Sequence, residues 1–186
     1  IDDQGLWVHH YGGNTFKGRL ADGSAVTLTQ ETSYPWCGRV VLRMDAVAST
    51  EPFAIRIRIP GWVVDATVKV NGKPAANVPK AGTYLYMKRK WSAGDRIELD
   101  LPMETRLMTA HPKVEQLRNQ VAVMRGPLLY CVESKDIPEG KDMNNVRIPA
   151  DIVLKAAPAS DLPLGIQVLE GNALYLDEEP WEHELY

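Results

Sequence analysis

Apolar and polar positions alternate with a period of two along most of this chain, and almost nowhere with the three-to-four spacing of a helix. In Phe53-Ala-Ile-Arg-Ile-Arg-Ile59 the apolar residues Phe53, Ile55, Ile57 and Ile59 share one face. Arg56 and Arg58 share the other, and Pro60-Gly61 closes the run. Successive strand side chains point to opposite sides, so this pattern predicts a half-buried strand. Residues 67–70 lead into Asn71-Gly72, a pair that tolerates the two positive φ angles of a type I′ hairpin turn. Residues 84–90 and 96–101 flank Trp91-Ser-Ala-Gly-Asp95, which predicts another hairpin with Gly94 at the left-handed position. Were the strands carrying Arg56 and Glu98 neighbours, Arg56 and Arg58 would face Glu98 and Asp100 across one sheet.

Residues 6–11, 25–30 and 39–44 are also of strand length, rich in β-branched or aromatic side chains, and bounded by Gly, Asn or Asp. Six or seven strands by residue 101, at this spacing, predict an all-β fold: an antiparallel β-sandwich of the jelly-roll or immunoglobulin-like kind. After Pro102 the texture changes. Residues 103–112 read as a connector, and residues 120–124 and 128–133 as two strands around Arg125-Gly-Pro127. The expected organisation is a first sandwich over 1–104 and a second β-rich, incomplete one over 105–186. Beyond residue 134 only 151–155, 166–169 and 173–176 read as strands, in a stretch poor in core-forming residues.

Composition narrows the function. With 186 residues, 45% hydrophobic and 24% charged, the chain has enough apolar material to fold without disulfides or metals, which excludes disorder. The 21 basic residues do not outnumber the 24 acidic ones, so nothing supplies the cation excess that a nucleic acid partner demands. No apolar run approaches the roughly 20 residues of a membrane-spanning helix. The chain starts at Ile1 rather than Met, so the lack of a leader leaves secreted, periplasmic and cytoplasmic locations all open.

Candidate chemistry is sparse. Cys37 and Cys131 form no CxxC pair and no nucleophile signature; they read as small buried or half-buried thiols. His9 and His10 are strand neighbours that point to opposite faces, an arrangement unsuited to one metal ion, while His111 and His183 lack ligand partners at useful spacing. The acids fall on outward strand positions or in the run 177–179 with Glu182, where a solvated face is the simpler reading than a catalytic pair. No glycine-rich phosphate loop occurs. No catalytic, cofactor-binding or metal residue is therefore assigned. The aromatics stand apart. Trp7 and Trp91 sit in or beside strands and read as core or hairpin anchors, whereas Tyr34, Pro35, Trp36 and Trp62 lie on loops, as candidates for facing another domain or a sugar.

Leu28-Thr-Gln-Glu-Thr-Ser-Tyr-Pro-Trp36 with Gly38, Ile57-Arg-Ile-Pro-Gly-Trp62, Val70-Asn-Gly72, Trp91 with Gly94-Asp95, residues 99–103, and Val121-Ala-Val with Arg125-Gly-Pro-Leu-Leu-Tyr-Cys131 form an ordered series. Over residues 5–133 this series resembles glycoside hydrolase family 127, which includes β-L-arabinofuranosidases. The resemblance implies a catalytic (α/α)6 barrel preceding two β-sandwiches. The zinc-bound cysteine nucleophile and its glutamate and cysteine partners would belong to that barrel, so this chain would carry neither the zinc nor the catalytic residues. Cys37 stands where relatives often have Asp, and a closing Tyr-Tyr-Ala-Trp-like strand is missing, which would leave an unpaired edge open to a second copy. The implied role is a non-catalytic accessory region: its partner would be its own barrel, it would meet carbohydrate only through the parent enzyme, and it could supply a homodimer contact. A stand-alone carbohydrate-binding module would instead show an exposed coplanar aromatic strip, and a purely structural sandwich would bury every Trp.

Overall fold

A computed structural model describes residues 1–160 and 165–176. The acidic run at 177–179, together with Trp181, Glu182 and His183, lies outside the described residues. The chain divides into two compact units, Ile1–Glu104 with Arg125–Leu128, and Thr105–Met124 with Leu129–Tyr186.

The first unit is a two-layer β-sandwich. One layer has three strands in the order β1 (Gly5–Val8), β5 (Phe53–Ile59), β8 (Thr83–Arg89). The other has six, in the order β2 (Asn14–Arg19), β3 (Ala25–Thr32), β4 (Arg39–Val47), β9 (Arg96–Asp100), β6 (Thr67–Val70), β7 (Lys73–Pro74). All pairings are antiparallel except that of β1 with β5. The inward residues of both layers form one apolar core, with Ile55, Ile57 and Leu85 from the small sheet meeting Leu42, Ile97 and Leu99 from the large one. The predicted alternation in β5 holds on that side: Phe53, Ile55, Ile57 and Ile59 are all buried. The Asn71-Gly72 turn also forms as expected, with φ of 52° and 76° at its two residues.

Two expectations are overturned. Residues 91–95 do not close a hairpin, because β8 and β9 belong to different layers. Trp91 dives into the core between them, 1% exposed, its indole N–H donating to the Phe53 carbonyl at 3.1 Å. Gly94, at φ 90°, then lets the chain turn beside β4, where its N–H meets the Met44 carbonyl at 2.7 Å. A glycine-containing loop between two alternating runs suits a hairpin and a sheet-to-sheet crossing equally, and burial of the tryptophan selects the crossing.

The same topology removes the proposed charge pairs. Arg56 lies on β5 and Glu98 on β9, in separate sheets, and Glu98 instead stands opposite Val41 and Lys69. Arg56 is 8% exposed despite its outward position. Its guanidinium is 4.6 Å from the Trp7 ring centre and 4.9 Å from that of Tyr86, bonds to the Gln4 side chain, and pairs with Asp2 at 3.7 Å. Trp7 is thus half-buried on the outer face of the small sheet rather than in the core.

Two strands of five or more residues escaped the sequence reading. β2, Asn-Thr-Phe-Lys-Gly-Arg, is a polar edge strand almost wholly exposed, and β10 (Thr105–Thr109) occupies the stretch expected to be a connector. In the second unit β10 joins β11 (Val121–Arg125) and β12 (Leu128–Tyr130) in one sheet. Two small pairs follow, β13 (Val146–Arg147) with β16 (Leu174–Tyr175) and β14 (Lys155–Pro158) with β15 (Gln167–Glu170). Residues 151–154, expected as a strand, precede β14 without joining it. None of the described residues of this unit is fully buried.

Acid should weaken the first unit. Asp45 accepts a hydrogen bond from the Thr29 hydroxyl and lies 2.8 Å from Arg43 Nε; Asp22 accepts from the Ser24 backbone N–H at 2.8 Å. Those bonds, with smaller help from Arg43 at Asp45, hold both carboxyls below their usual value. A depressed folded-state pKa gives stability that is fully present above the unfolded value near 4 and is lost as the pH falls through the folded one. Thermal unfolding followed from neutral pH to about pH 2 is therefore expected to show a steeper acid loss for the native chain than for Asp45→Asn.

Candidate functional surface

The loop from Ser33 to Gly38, between β3 and β4, is held at its base. The Thr32 hydroxyl accepts from the Tyr34 N–H at 3.0 Å and donates to the Arg39 carbonyl at 2.7 Å. Trp36 N–H closes a turn onto the Ser33 carbonyl at 3.0 Å, and the Tyr34–Pro35 peptide is cis. Gly38 is buried against β9: a Cβ there would lie 1.8 Å from the Leu101 carbonyl oxygen, so only glycine lets the two backbones approach this closely. The loop is thereby anchored at both ends to the large sheet.

Tyr34 meets the edge of Tyr11, with ring centres 5.8 Å apart at 76°. The Tyr11 hydroxyl donates to the Arg58 carbonyl, and burial pushes its pKa far above the ordinary phenol value. Burial also raises that of Tyr34, opposed by the Arg58 charge and by a side-chain hydrogen bond with Trp62. Both phenols therefore stay protonated and act as hydrogen-bonding, packing groups rather than bases. Trp62 follows the Pro60-Gly61 corner, where Val63 N–H reaches back to the Pro60 carbonyl at 3.3 Å. Its ring borders Gly126, whose φ of 56° and missing side chain leave room for Met103 and the indole edge. Arg125 Nη1 donates to the Trp36 carbonyl at 3.2 Å.

Of the four residues proposed from sequence, Tyr34 and Trp62 are brought together directly, while Trp36 is tied in through its backbone and Pro35 shapes the loop. All four are half-buried. Tyr11, Arg58 and Arg125 belong to the same cluster and were not anticipated. Tyr11 ends a stretch that reads only as strand, and Arg58 contributes through its carbonyl, which no sequence pattern reports.

The cluster contains no carboxylate pair and no base beside a nucleophile. Among the described residues no group of three or more His, Cys, Asp or Glu could hold a metal ion. Cys37 and Cys131 are both exposed, correcting the expected burial, and they sit in different units without ligand partners. The donors here do not fit a cysteine-bound zinc. In a second aromatic group, on the outer face of the small sheet, Tyr84 stands edge-on to Trp7 at 75° and to His9 at 86°, while Trp7 and His9 lie nearly parallel at 18° with ring centres 5.8 Å apart. These rings do not form a coplanar strip.

Fold and surface together define a β-sandwich region that presents an aromatic loop cluster. The chain belongs to glycoside hydrolase family 127: residues 5–103 match the family described as beta-L-arabinofuranosidase, GH127 middle domain, and residues 105–164 match the glycoside hydrolase family 127 C-terminal domain. It is 35% identical over 195 residues to a non-reducing end beta-L-arabinofuranosidase of Bifidobacterium longum subsp. longum, covering 95% of this chain and 29% of that protein. Among solved structures, one named as a glycoside hydrolase is 40% identical with a TM-score of 0.89, and covers 100% of this chain and 31% of its own. A GH127 beta-L-arabinofuranosidase from Geobacillus stearothermophilus T6 is 37% identical with a TM-score of 0.87, again over 100% of this chain and 29% of its own. The chain thus spans about three-tenths of the length of these relatives. No α-helix occurs among the described residues, and none is long and apolar enough to cross a membrane.

Proposed function

We propose that this chain is the accessory β-sandwich region of a family-127 glycoside hydrolase that cleaves β-L-arabinofuranosides, bracing a catalytic (α/α)6 barrel and completing one wall of its cleft. The observation that carries the reading is that consecutive matches to the family's middle and C-terminal domains account for most of the chain, within relatives more than three times as long. The loop cluster supports the same role. Tyr34, Trp36 and Trp62 are large, half-buried and held by backbone anchors, so little conformational entropy remains to be lost when another surface docks on them.

The isolated chain is expected to turn over no chromogenic β-L-arabinofuranoside, and Cys37→Ser is expected to change nothing. Turnover abolished by Cys37→Ser would overturn the accessory role. The positive test is Trp36→Ala. In the isolated chain it should cost no more than about 1 kcal/mol by thermal unfolding, since the ring is only half-buried. In the full-length enzyme it should lower kcat/KM by about tenfold or more through misplaced docking. Severe unfolding of the isolated variant would make Trp36 a core residue, and full activity of the enzyme would show that the loop faces neither barrel nor substrate.

A further inference from the structure

Asn71-Gly72 is the one Asn-Gly pair in the sequence. Asparagine is chemically labile in such a pair, because the glycine that follows has no side chain to keep its backbone nitrogen away from the asparagine amide carbon. The pair forms the tip of the β6–β7 hairpin, with φ of 52° and 76°. Both residues are exposed, and nothing lies within 4 Å of where a Gly72 Cβ would stand. Solvent water therefore reaches the turn.

Both ends of the Asn71 amide are tied to the start of β9. Nδ2 donates to Asp95 Oδ1 at 2.7 Å, and Oδ1 accepts from the Arg96 N–H at 2.8 Å. The Asn71 backbone N–H adds a bond to the Arg96 carbonyl at 2.9 Å. Asp95 is itself held, accepting from the Ser92 N–H at 2.9 Å on Oδ2 and from the Met44 N–H at 2.9 Å on its carbonyl. Its side chain is only 12% exposed, so the charge-assisted bond from Asn71 is shielded from water. One amide thus latches the hairpin tip to the segment that carries Trp91 from one sheet to the other.

We propose that Asn71 is a site of spontaneous deamidation, held back by this latch and releasing it once converted. The Gly72 nitrogen attacks the Asn71 amide carbon. As the new C–N bond closes a five-membered succinimide, the Cγ–Nδ2 bond breaks, and the amide nitrogen leaves as ammonia with the Gly72 proton. Solvent water then opens the ring at either carbonyl, its proton returning to the Gly72 nitrogen, and leaves aspartate or isoaspartate at position 71. Closing the ring binds the side chain to its own backbone, which the bonds to Asp95 and Arg96 oppose, so the reaction waits for the hairpin to part from β9. The product cannot re-form the latch. It has lost the Nδ2 donor, and its carboxylate would stand within hydrogen-bond distance of that of Asp95, where like charges repel. Isoaspartate also adds one carbon to the main chain at a two-residue turn.

The test follows the 186-residue chain during incubation at mildly alkaline pH, by peptide mapping with mass spectrometry, beside a synthetic peptide of residues 67–75. Conversion at Asn71 is expected to be at least tenfold slower in the chain than in the peptide, and Asp95→Asn, which removes the charge from the acceptor, should speed it about fivefold. Asn71→Asp, a stand-in for the product, should lower the unfolding temperature of the first unit by about 5 °C or more. Asn71→Asp combined with Asp95→Asn reverses donor and acceptor and should recover more than half of that loss. Equal rates in chain and peptide, a rate unmoved by Asp95→Asn, or an unfolding temperature unchanged by Asn71→Asp would each overturn the proposal. So would a double variant no more stable than Asn71→Asp alone, since the loss would then not come from meeting Asp95.

Discussion

Trp91→Ala should destabilise the first unit by about 3–5 kcal/mol, the usual range for truncating a buried aromatic. Trp91 is 1% exposed, stands at the crossing between the two sheets, donates its indole N–H to the Phe53 carbonyl, and carries Arg89 5.1 Å above its ring. Alanine would leave a cavity between the layers and an unpaired carbonyl at the start of β5. In denaturant unfolding the midpoint should fall with little change in slope. Trp91→Phe is expected to recover more than half of the loss, because it refills the cavity without restoring the hydrogen bond. A loss under about 1 kcal/mol for the alanine variant would mean that the crossing is held by the Gly94 turn rather than by the tryptophan.

Gly38→Ala should be nearly as damaging for a different reason. Its φ is ordinary, so no left-handed conformation is at stake, but the added Cβ would sit 1.8 Å from the Leu101 carbonyl oxygen and 2.8 Å from its carbon. Those are backbone atoms of a fully buried residue whose N–H bonds to the Gly38 carbonyl at 3.1 Å, so relief requires breaking that pairing. A cost of about 3 kcal/mol is expected, at the upper end of overpacking. The Trp36 loop should move with it, seen as altered tryptophan fluorescence in the isolated chain and lost activity in the full-length enzyme. Gly72→Ala is the control: its φ is 76° and nothing lies within 4 Å of the added carbon, so only the backbone strain of about 1–2 kcal/mol applies and the loop stays in place. Equal effects of the two substitutions would show that the close approach at Gly38 relaxes freely.

The strand reading was strongest where one face of a strand is committed to the core. β5 illustrates it, because the core demanded an unbroken set of isoleucines on one side. β2 illustrates the opposite: an edge strand that buries little is free to be polar, so its composition looks like a loop. The candidate surface was half legible. Tyr34, Pro35, Trp36 and Trp62 stood out as bulky apolar side chains on loops, whereas the backbone carbonyls of Arg58 and Trp36 and the guanidinium of Arg125 joined the cluster through long-range contacts that no local pattern encodes.

From the chain alone came the all-β class, the Asn71-Gly72 turn, the buried face of β5, and the family resemblance carried by motifs in order. These rest on residue type, period and turn chemistry, which act within a few positions of one another. Tertiary structure alone decided which strands are neighbours. It sent β8 and β9 to different layers, and moved Arg56 away from Glu98 and into a clamp of Trp7 and Tyr86. The physical reason is that alternation specifies a face but not a partner: any two half-apolar strands satisfy the same rule. The choice falls to the side chains that best fill the shared interior, here Trp91 at the crossing.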